Sequence, residues 1–346
     1  MNTHKMNTHN TTQNTALLLA TLLITAGAAT AIAATPGSSI IDMPMVAVGD
    51  AGNAADPRTN NLYGAVNYDY YIGTYMVTNT QYAAFLNAVA ATDTYSLYNT
   101  AMGDSESAAW GGITRSGESG EYTYAVKEGW GQKPVNYVSF YDAARFVNWL
   151  GTGNTETGVY NLTVEGSILR DTTAWANGGY AIASEDEWYK AAYYNGDGTY
   201  REYPVTGSVN QGTTNYKNTE NYAITDNTPS GETHIADVDH YDMVSGANSF
   251  YGTYQQGGNL YEWSDTPSPD AKRAARGGAY SVIYTFFSST YRNPYPEEGE
   301  DMTLGFRVVF RLAAVPEPGT VAGVTGLAAL VVGIWARRGR GIPWSS

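Results

Sequence analysis

The C-terminal segment limits how far the folded domain of this chain can extend. Pro316 and Pro318 come just before an uncharged apolar run at 321–336. Proline has no backbone N–H and a fixed φ, so two prolines this close cannot lie inside a helix or a central strand. We therefore expect the fold to end near Leu312. At about 1.5 Å per residue the apolar run covers most of a roughly 30 Å hydrocarbon core, which predicts a transmembrane helix at about 320–336.

Arginines follow the apolar run and predict its orientation. Arg337 and Arg338 would stay on the cytoplasmic side of a membrane, which leaves everything upstream outside. A buried core helix with a basic end is the alternative explanation of the same residues.

The N-terminal segment predicts export. Lys5 precedes an apolar run at 16–33, which is the arrangement of a secretory signal peptide. Small residues at Ala31 and Ala33 suit a signal peptidase, and cleavage two residues earlier is the competing possibility. We assign 1–34 to the signal peptide, whether translation starts at the first or at the second methionine.

The two ends together are similar to the PEP-CTERM arrangement of Gram-negative bacteria. The residues that carry this similarity are Val315, Pro316, Glu317, Pro318, Arg337 and Arg338. The resemblance implies that an exosortase processes the tail, 313–346, at its Pro-Glu-Pro motif. It also implies a cell-envelope or extracellular location with a transient inner-membrane anchor.

The composition of the intervening domain, 35–312, excludes some functions. The chain has no cysteine, so it has neither disulfides nor a thiol nucleophile. Leaving out the two ends removes four of the 19 basic and one of the 33 acidic residues, which leaves 15 basic, 32 acidic and a net charge of −17. Nucleic acid is therefore not expected as a partner, whereas cations such as calcium are compatible with the charge.

Local patterns predict three helices among many turns. Thr78 or Thr80 caps a helix that reaches Val89, whereas Ser139 caps a helix that Gly151 ends. The third helix starts at the capping box 184–187. Short strands are predicted at 70–76 and 306–310.

Five blocks of residues follow one another between about Met43 and Leu312. They are Ile72–Tyr82, Lys133–Ala143, Ala183–Trp188, Gly257–Trp263, and Arg276–Tyr280 together with Gly305–Arg307. In content and order they resemble the formylglycine-generating enzymes, or sulfatase-modifying factors. The resemblance implies a single α+β domain that is related to C-type lectins and has little regular secondary structure.

The enzymes of this family oxidise a substrate cysteine with a pair of cysteines that hold copper. By their offset from Gly277 and Gly278, the corresponding positions here are Val282 and Phe287. Apolar side chains cannot ligate copper or form a disulfide with a substrate. We therefore expect no copper and no formylglycine formation.

The family also implies a structural calcium ion in the turn before Trp263. Carried over by position, the ligands are Gln255, Gly258, Leu260 and Glu262. Gln255 is longer and less charged than the Asn or Asp common at this position, which weakens the site. The alternative is that Glu262 binds backbone amides while its aromatic neighbours fill the core.

A histidine-containing loop and many tyrosines complete the inventory of candidate sites. His234 and His240 are six residues apart in an acidic segment, which favours a solvated loop over an iron site. Tyrosine clusters such as 251–254 and 291–295 either present rings in surface loops or build the core, and we favour the core.

The leading hypothesis is an exported, non-catalytic family member that binds a surface glycan or an envelope protein. One alternative is a thiol-independent oxidoreductase of the same superfamily, related to its non-haem iron members. The other is a structural matrix protein.

Overall fold

Each of the three longer helices begins with a capping box. In it, two residues three positions apart each accept, with the side chain, a hydrogen bond from the other's backbone N–H. The pairs are Thr78 with Gln81, Ser139 with Asp142, and Ser184 with Glu187. Such capping boxes provide acceptors for backbone N–H groups that have no partner within the helix. The predicted helix starts are confirmed, with Thr78 and not Thr80 as the first cap.

The computed structural model describes residues 40–104, 110–164, 168–209, 213–215 and 235–313. The predicted signal peptide, the sorting residues 315–318, the tail arginines and the apolar run lie outside these residues. Every helix within them is too short or too polar to cross a membrane.

The helices and strands are short. The helices are α1 (Asn79–Val89), α2 (Phe140–Thr152), α3 (Thr172–Ala176) and α4 (Glu185–Tyr193). The strands are β1 (Met45–Val48), β2 (Tyr70–Gly73), β3 (Ile113–Ser116), β4 (Thr123–Val126), β5 (Gly179–Ile182), β6 (Tyr261–Ser268), β7 (Lys272–Arg276), β8 (Asn293–Pro296), β9 (Leu304–Phe306) and β10 (Val308–Arg311).

Two four-stranded sheets and a hairpin form the framework. The first sheet has the order β1-β2-β10-β5 and is antiparallel throughout. The second has the order β8-β7-β6-β9, in which β6 and β9 run parallel. The hairpin pairs β3 with β4. The described residues belong to one compact unit with a mixed α+β architecture.

Three local predictions are wrong in detail. Gly151 lies inside α2, and the left-handed residue that ends this helix is Gly153, at φ 76°. The strand predicted at 70–76 ends at Gly73. The strand predicted at 306–310 is interrupted at Arg307, whose side chain is fully buried and bonds residues far away in the sequence.

Aromatic side chains from α1, α2 and β9 meet in the centre of the core. The ring of Phe146 lies 5.4 Å from that of Phe85 and 5.3 Å from that of Phe306, both at steep angles that favour edge-to-face contact. Tyr193 is fully buried and Tyr194 nearly so. The expectation that most clustered rings build the core is therefore confirmed for this pair.

Candidate functional site

A tight turn before β6 presents the residues that the family resemblance assigns to calcium. Gly258 has φ 84°, and a Cβ atom at this position would lie 2.1 Å from the backbone oxygen of Asn215. Its N–H donates to the oxygen of Gly277 over 2.7 Å. Glycine is therefore required for both its backbone conformation and its close packing.

Glu262, the second residue of β6, forms a buried ion pair with Arg307. The guanidinium donates from Nε to Oε2 over 3.0 Å and from the second terminal nitrogen to Oε1 over 2.9 Å. The indole N–H of Trp188 donates to Oε2 over 2.8 Å. All three side chains are fully buried. Both carboxylate oxygens thus accept hydrogen bonds, as a buried charge requires.

Arg307 also connects the turn to the end of β2. Its Nη1 donates to the backbone oxygens of Gly73 and Thr74 over 2.8 and 2.7 Å. Its Nη2, which also bonds Glu262, donates to the backbone oxygen of Tyr254 over 2.8 Å. This satisfied guanidinium explains why the strand predicted at 306–310 is interrupted.

As arranged here, the oxygen donors of the turn do not fit a calcium ion. Glu262 already neutralises a guanidinium, and the side-chain oxygen of Gln255 accepts from Asn259 over 2.6 Å. Calcium requires six to eight free oxygen ligands. The backbone positions Gly258 and Leu260 lie in the same turn, but the calcium site itself stays a prediction.

Of the two positions that correspond to the lost cysteines, Val282 precedes a short 3-10 helix, Tyr284–Phe287, and Phe287 is its last residue. Phe287 is fully buried, whereas Val282 is half-buried against the core. A Cβ atom added to Gly278 would lie 2.4 Å from the Phe287 ring. The phenyl ring therefore fills the space directly over the glycine pair, and Tyr193 holds the segment by donating to the Phe287 oxygen over 2.8 Å.

Charged side chains beneath this segment are paired with one another. Arg276 is fully buried and donates from Nε to Glu185 over 2.8 Å, and Arg292 donates to the same carboxylate over 2.9 Å. Tyr280 instead stacks on Trp110 with ring centroids 5.6 Å apart.

The sequence matches the family described as sulfatase-modifying factor enzyme 1-like domain over residues 28–312. The chain belongs to this family. The predicted family membership is confirmed, as is the mixed α+β domain that it implied. No curated protein matches the chain.

Solved structures provide further comparisons. Treponema denticola variable protein 1 is 18% identical, with 81% of this chain and 98% of that one covered and a TM-score of 0.49. CarF is 21% identical; the match covers 78% of this chain and 98% of CarF, with a TM-score of 0.45. PvdO from Pseudomonas aeruginosa is 17% identical; the match covers 80% of this chain and 99% of PvdO, with a TM-score of 0.49.

The histidine loop of this family member is only partly described. His234 lies outside the described residues, and His240 packs its ring against Tyr241 at 4.6 Å. Asp237 forms an ion pair with Lys133 over 3.2 Å. In the described part of the chain, no three His, Asp or Glu side chains converge as metal ligands would.

Two cavities of about 350 Å³ open elsewhere on the domain. One is lined by Tyr75, Asp239 and Asp242, and the Tyr75 hydroxyl donates to the Asp242 carboxylate. Burial, together with the nearby Asp239 charge, raises the pKa of Asp242 despite that hydrogen bond. Sequence reasoning assigned no role to these acids.

The other cavity, here called the Asp142 cavity, lies at the N-terminal end of α2. Asp142 and Arg145 line it together with Tyr95 and Glu300. Sequence reasoning identified Asp142 only as part of a capping box. Its position in the wall of this cavity depends on residues from other loops, which no local pattern could indicate.

Proposed function

We propose that this chain is an exported member of its family that binds a surface component and does not perform formylglycine chemistry. The observation that carries the proposal is the packing of Phe287, a buried phenyl ring at a position where the family's chemistry needs a thiolate. The chain has no cysteine that could act from another position.

The surface of the domain supports binding to a component of the cell envelope. Among the cavities that stay open although the segment around Phe287 is filled, two of about 350 Å³ both have carboxylate and tyrosine side chains in their walls. Carboxylates accept hydrogen bonds from hydroxyl and amino groups, and aromatic rings pack against apolar faces. This combination favours a glycan over an anionic ligand.

The proposed location rests on the two ends of the sequence. The export signal at 1–34 and the sorting tail at 313–346 are features of the sequence alone. We propose that signal peptidase removes the first segment and that an exosortase processes the second near Pro316–Pro318, after transient anchoring in the inner membrane.

Two experiments test the proposed function. The purified domain is incubated with copper and a cysteine-containing sulfatase peptide, and mass spectrometry is used to detect the aldehyde product; we expect none. A glycan array is then probed with the same preparation, and we expect binding to at least one class of glycan. Aldehyde formation, or an array without any bound glycan, would contradict the proposal.

The location is tested separately by intact-mass analysis of protein from the native cell envelope. We expect a mature chain that starts near Ala34 and ends near the Pro-Glu-Pro motif. Mature protein that still contains Trp335 would show that the tail is retained.

A further inference from the structure

The Asp142 cavity has the size and the mixed lining of a small-ligand site. Its volume is about 350 Å³, at the lower end of the range of roughly 300–1,000 Å³ that is usual for ligand sites. Its walls come from the loop around Tyr95, from the start of α2, from Leu162, Val164 and Ile168, and from the segment that follows β8. Four separate parts of the domain thus converge on one opening.

A buried carboxyl group with a free oxygen lies at the inner end of this cavity. Asp142 is only 3% exposed, and its Oδ2 accepts from the backbone N–H of Ser139 over 2.9 Å and from the Ser139 hydroxyl over 2.7 Å. Its Oδ1 accepts no hydrogen bond from any described residue, yet it is not among the atoms fully shielded from solvent. Because the residue lines the cavity, the free oxygen faces this opening.

The environment of Asp142 makes its ionised form costly without a ligand. Burial raises the pKa of this carboxyl to about 7; the two hydrogen bonds from Ser139 oppose the shift and the Glu300 charge adds to it. A ligand that donates a hydrogen bond to Oδ1, or that brings a positive charge, would offset this cost.

The opposite wall is aromatic and aliphatic. The Tyr95 ring is 44% exposed and Val164 is 55% exposed. The Arg145 guanidinium lies 4.3 Å from the centre of the Tyr95 ring and holds it in place. Rings positioned in this way provide a flat surface for the apolar face of a sugar.

The charges around the cavity select against acidic ligands. Asp142, Glu298 and Glu300 all line it. Arg145 is the one basic side chain in the described lining, and it already binds Glu156 with its Nε 2.8 Å from Oε1. The net field is therefore negative, and a cationic group is favoured over a carboxylate of the ligand.

We propose that the Asp142 cavity binds a hexosamine unit with a free amino group. The ammonium group bonds the free oxygen of Asp142 and the carboxylates at the rim, while the apolar sugar face packs on Tyr95 and the aliphatic wall. This inference rests on the proposed function, because it specifies the glycan that the domain binds.

The test compares two ligands that differ only in the amino group. Isothermal titration of the domain with a glucosamine trimer is expected to give measurable binding, and the N-acetylglucosamine trimer is expected to bind at least about tenfold more weakly, since it lacks the charge. Asp142→Asn keeps an oxygen for the helix cap but removes the charge, and should weaken binding of the glucosamine trimer about tenfold.

Three further variants separate recognition from folding. Tyr95→Ala removes an exposed ring and should weaken binding about threefold to tenfold. Tyr284→Ala removes a ring of similar exposure, 39%, in another part of the domain and should leave binding unchanged. Glu121→Gln removes an exposed carboxylate elsewhere and controls for the change of net charge alone.

Several results would overturn the inference. Equal binding of the two trimers, unchanged binding by folded Asp142→Asn, or equal binding of a lysine trimer would each exclude a hexosamine site. If the glycan array is positive for other sugars in these cases, the proposed function stands and only this inference fails. An array without any bound glycan contradicts both.

Discussion

The segment after Gly277 and the Asp142 cavity differ in whether the space beside their charged groups is filled. At the first, a phenyl ring covers the glycine pair and the nearby Arg276 and Arg292 share Glu185. At the second, a buried carboxyl keeps one oxygen free beside an exposed ring. A carboxylate oxygen that faces open space can accept a hydrogen bond from a ligand, whereas a space that a side chain already fills admits none. The segment that corresponds by position to the family's lost cysteines is thus filled in this chain, whereas the Asp142 cavity is open.

The first prediction tests whether the closed region depends on its internal ion pairs. Glu262→Gln leaves Arg307 buried without a counter-charge and should lower the free energy of unfolding by about 3–5 kcal/mol. Urea denaturation measures the change. Glu156→Gln removes a partly exposed carboxylate, whose side chain is 19% exposed, and should cost about 1 kcal/mol or less. Equal losses would show that burial of the Glu262 pair is unimportant.

The second prediction concerns the ring that fills the segment. Phe287→Ala should cost about 3–5 kcal/mol because it leaves a cavity over Gly278. Phe286→Ala is the control, since this neighbouring ring is only half-buried, and it should cost clearly less. Thermal or urea unfolding compares the two. A small loss for Phe287→Ala would indicate that the segment is already open.

The third prediction uses the pH dependence of stability to test the burial of Asp142. Burial raises its pKa to about 7 in the folded state, against an ordinary value of 3.8. Between these values the folded state holds a proton that the unfolded state has released, so this group makes stability fall as pH rises, by at most about 1.4 kcal/mol per unit. Below about pH 3.8 the carboxyl is protonated in both the folded and the unfolded state, so its full contribution to stability is present.

Asp142→Asn removes that proton equilibrium but retains an acceptor for the cap. The difference in unfolding free energy between variant and wild type should therefore grow in favour of the variant from about pH 4 to about pH 7. Urea unfolding at closely spaced pH values measures it. A difference that stays constant with pH would mean that Asp142 is ionised in the folded state without penalty.

The fourth prediction separates steric crowding from backbone strain in the turn before β6. Gly258 and Gly52 share φ 84°, but a Cβ atom at Gly52 has nothing within 4 Å. Gly258→Ala should destabilise the domain by about 1–3 kcal/mol more than Gly52→Ala does. Equal losses of unfolding free energy, measured with urea, would show that backbone strain at positive φ accounts for the whole effect.

The smallest expected effect is that of a chelator. Because Glu262 is paired with Arg307 and Gln255 with Asn259, EDTA should leave the melting temperature unchanged. Differential scanning calorimetry with and without added calcium measures this. A fall in melting temperature with EDTA, reversed by calcium, would instead support the calcium site that the family resemblance predicts.

Local sequence patterns predicted the parts of the fold that depend on neighbouring residues. The capping pairs lie three residues apart, so Ser139 and Ser184 could be assigned as helix starts without knowledge of the fold. The end of α2 was less predictable, because Gly151 and Gly153 are both compatible with it and the choice depends on which one adopts the left-handed conformation.

Features that depend on distant residues could not be predicted. Arg307 interrupts a strand to reach Glu262, 45 residues earlier, and no local pattern shows that pairing. The Asp142 cavity likewise combines Tyr95, Val164 and Glu300, which only the folded chain brings together. The family resemblance located Val282 and Phe287, but only the packing around Gly278 shows that a ring occupies that space.

A titration of the isotopically labelled domain with the glucosamine trimer, followed by heteronuclear NMR, tests the central comparison most directly. We predict that the amide signals of Tyr95, Asp142 and Arg145 shift while those between Gly277 and Phe287 do not. Shifts confined to the Gly277–Phe287 segment would show that the ligand enters the family's reaction centre, and would contradict the account.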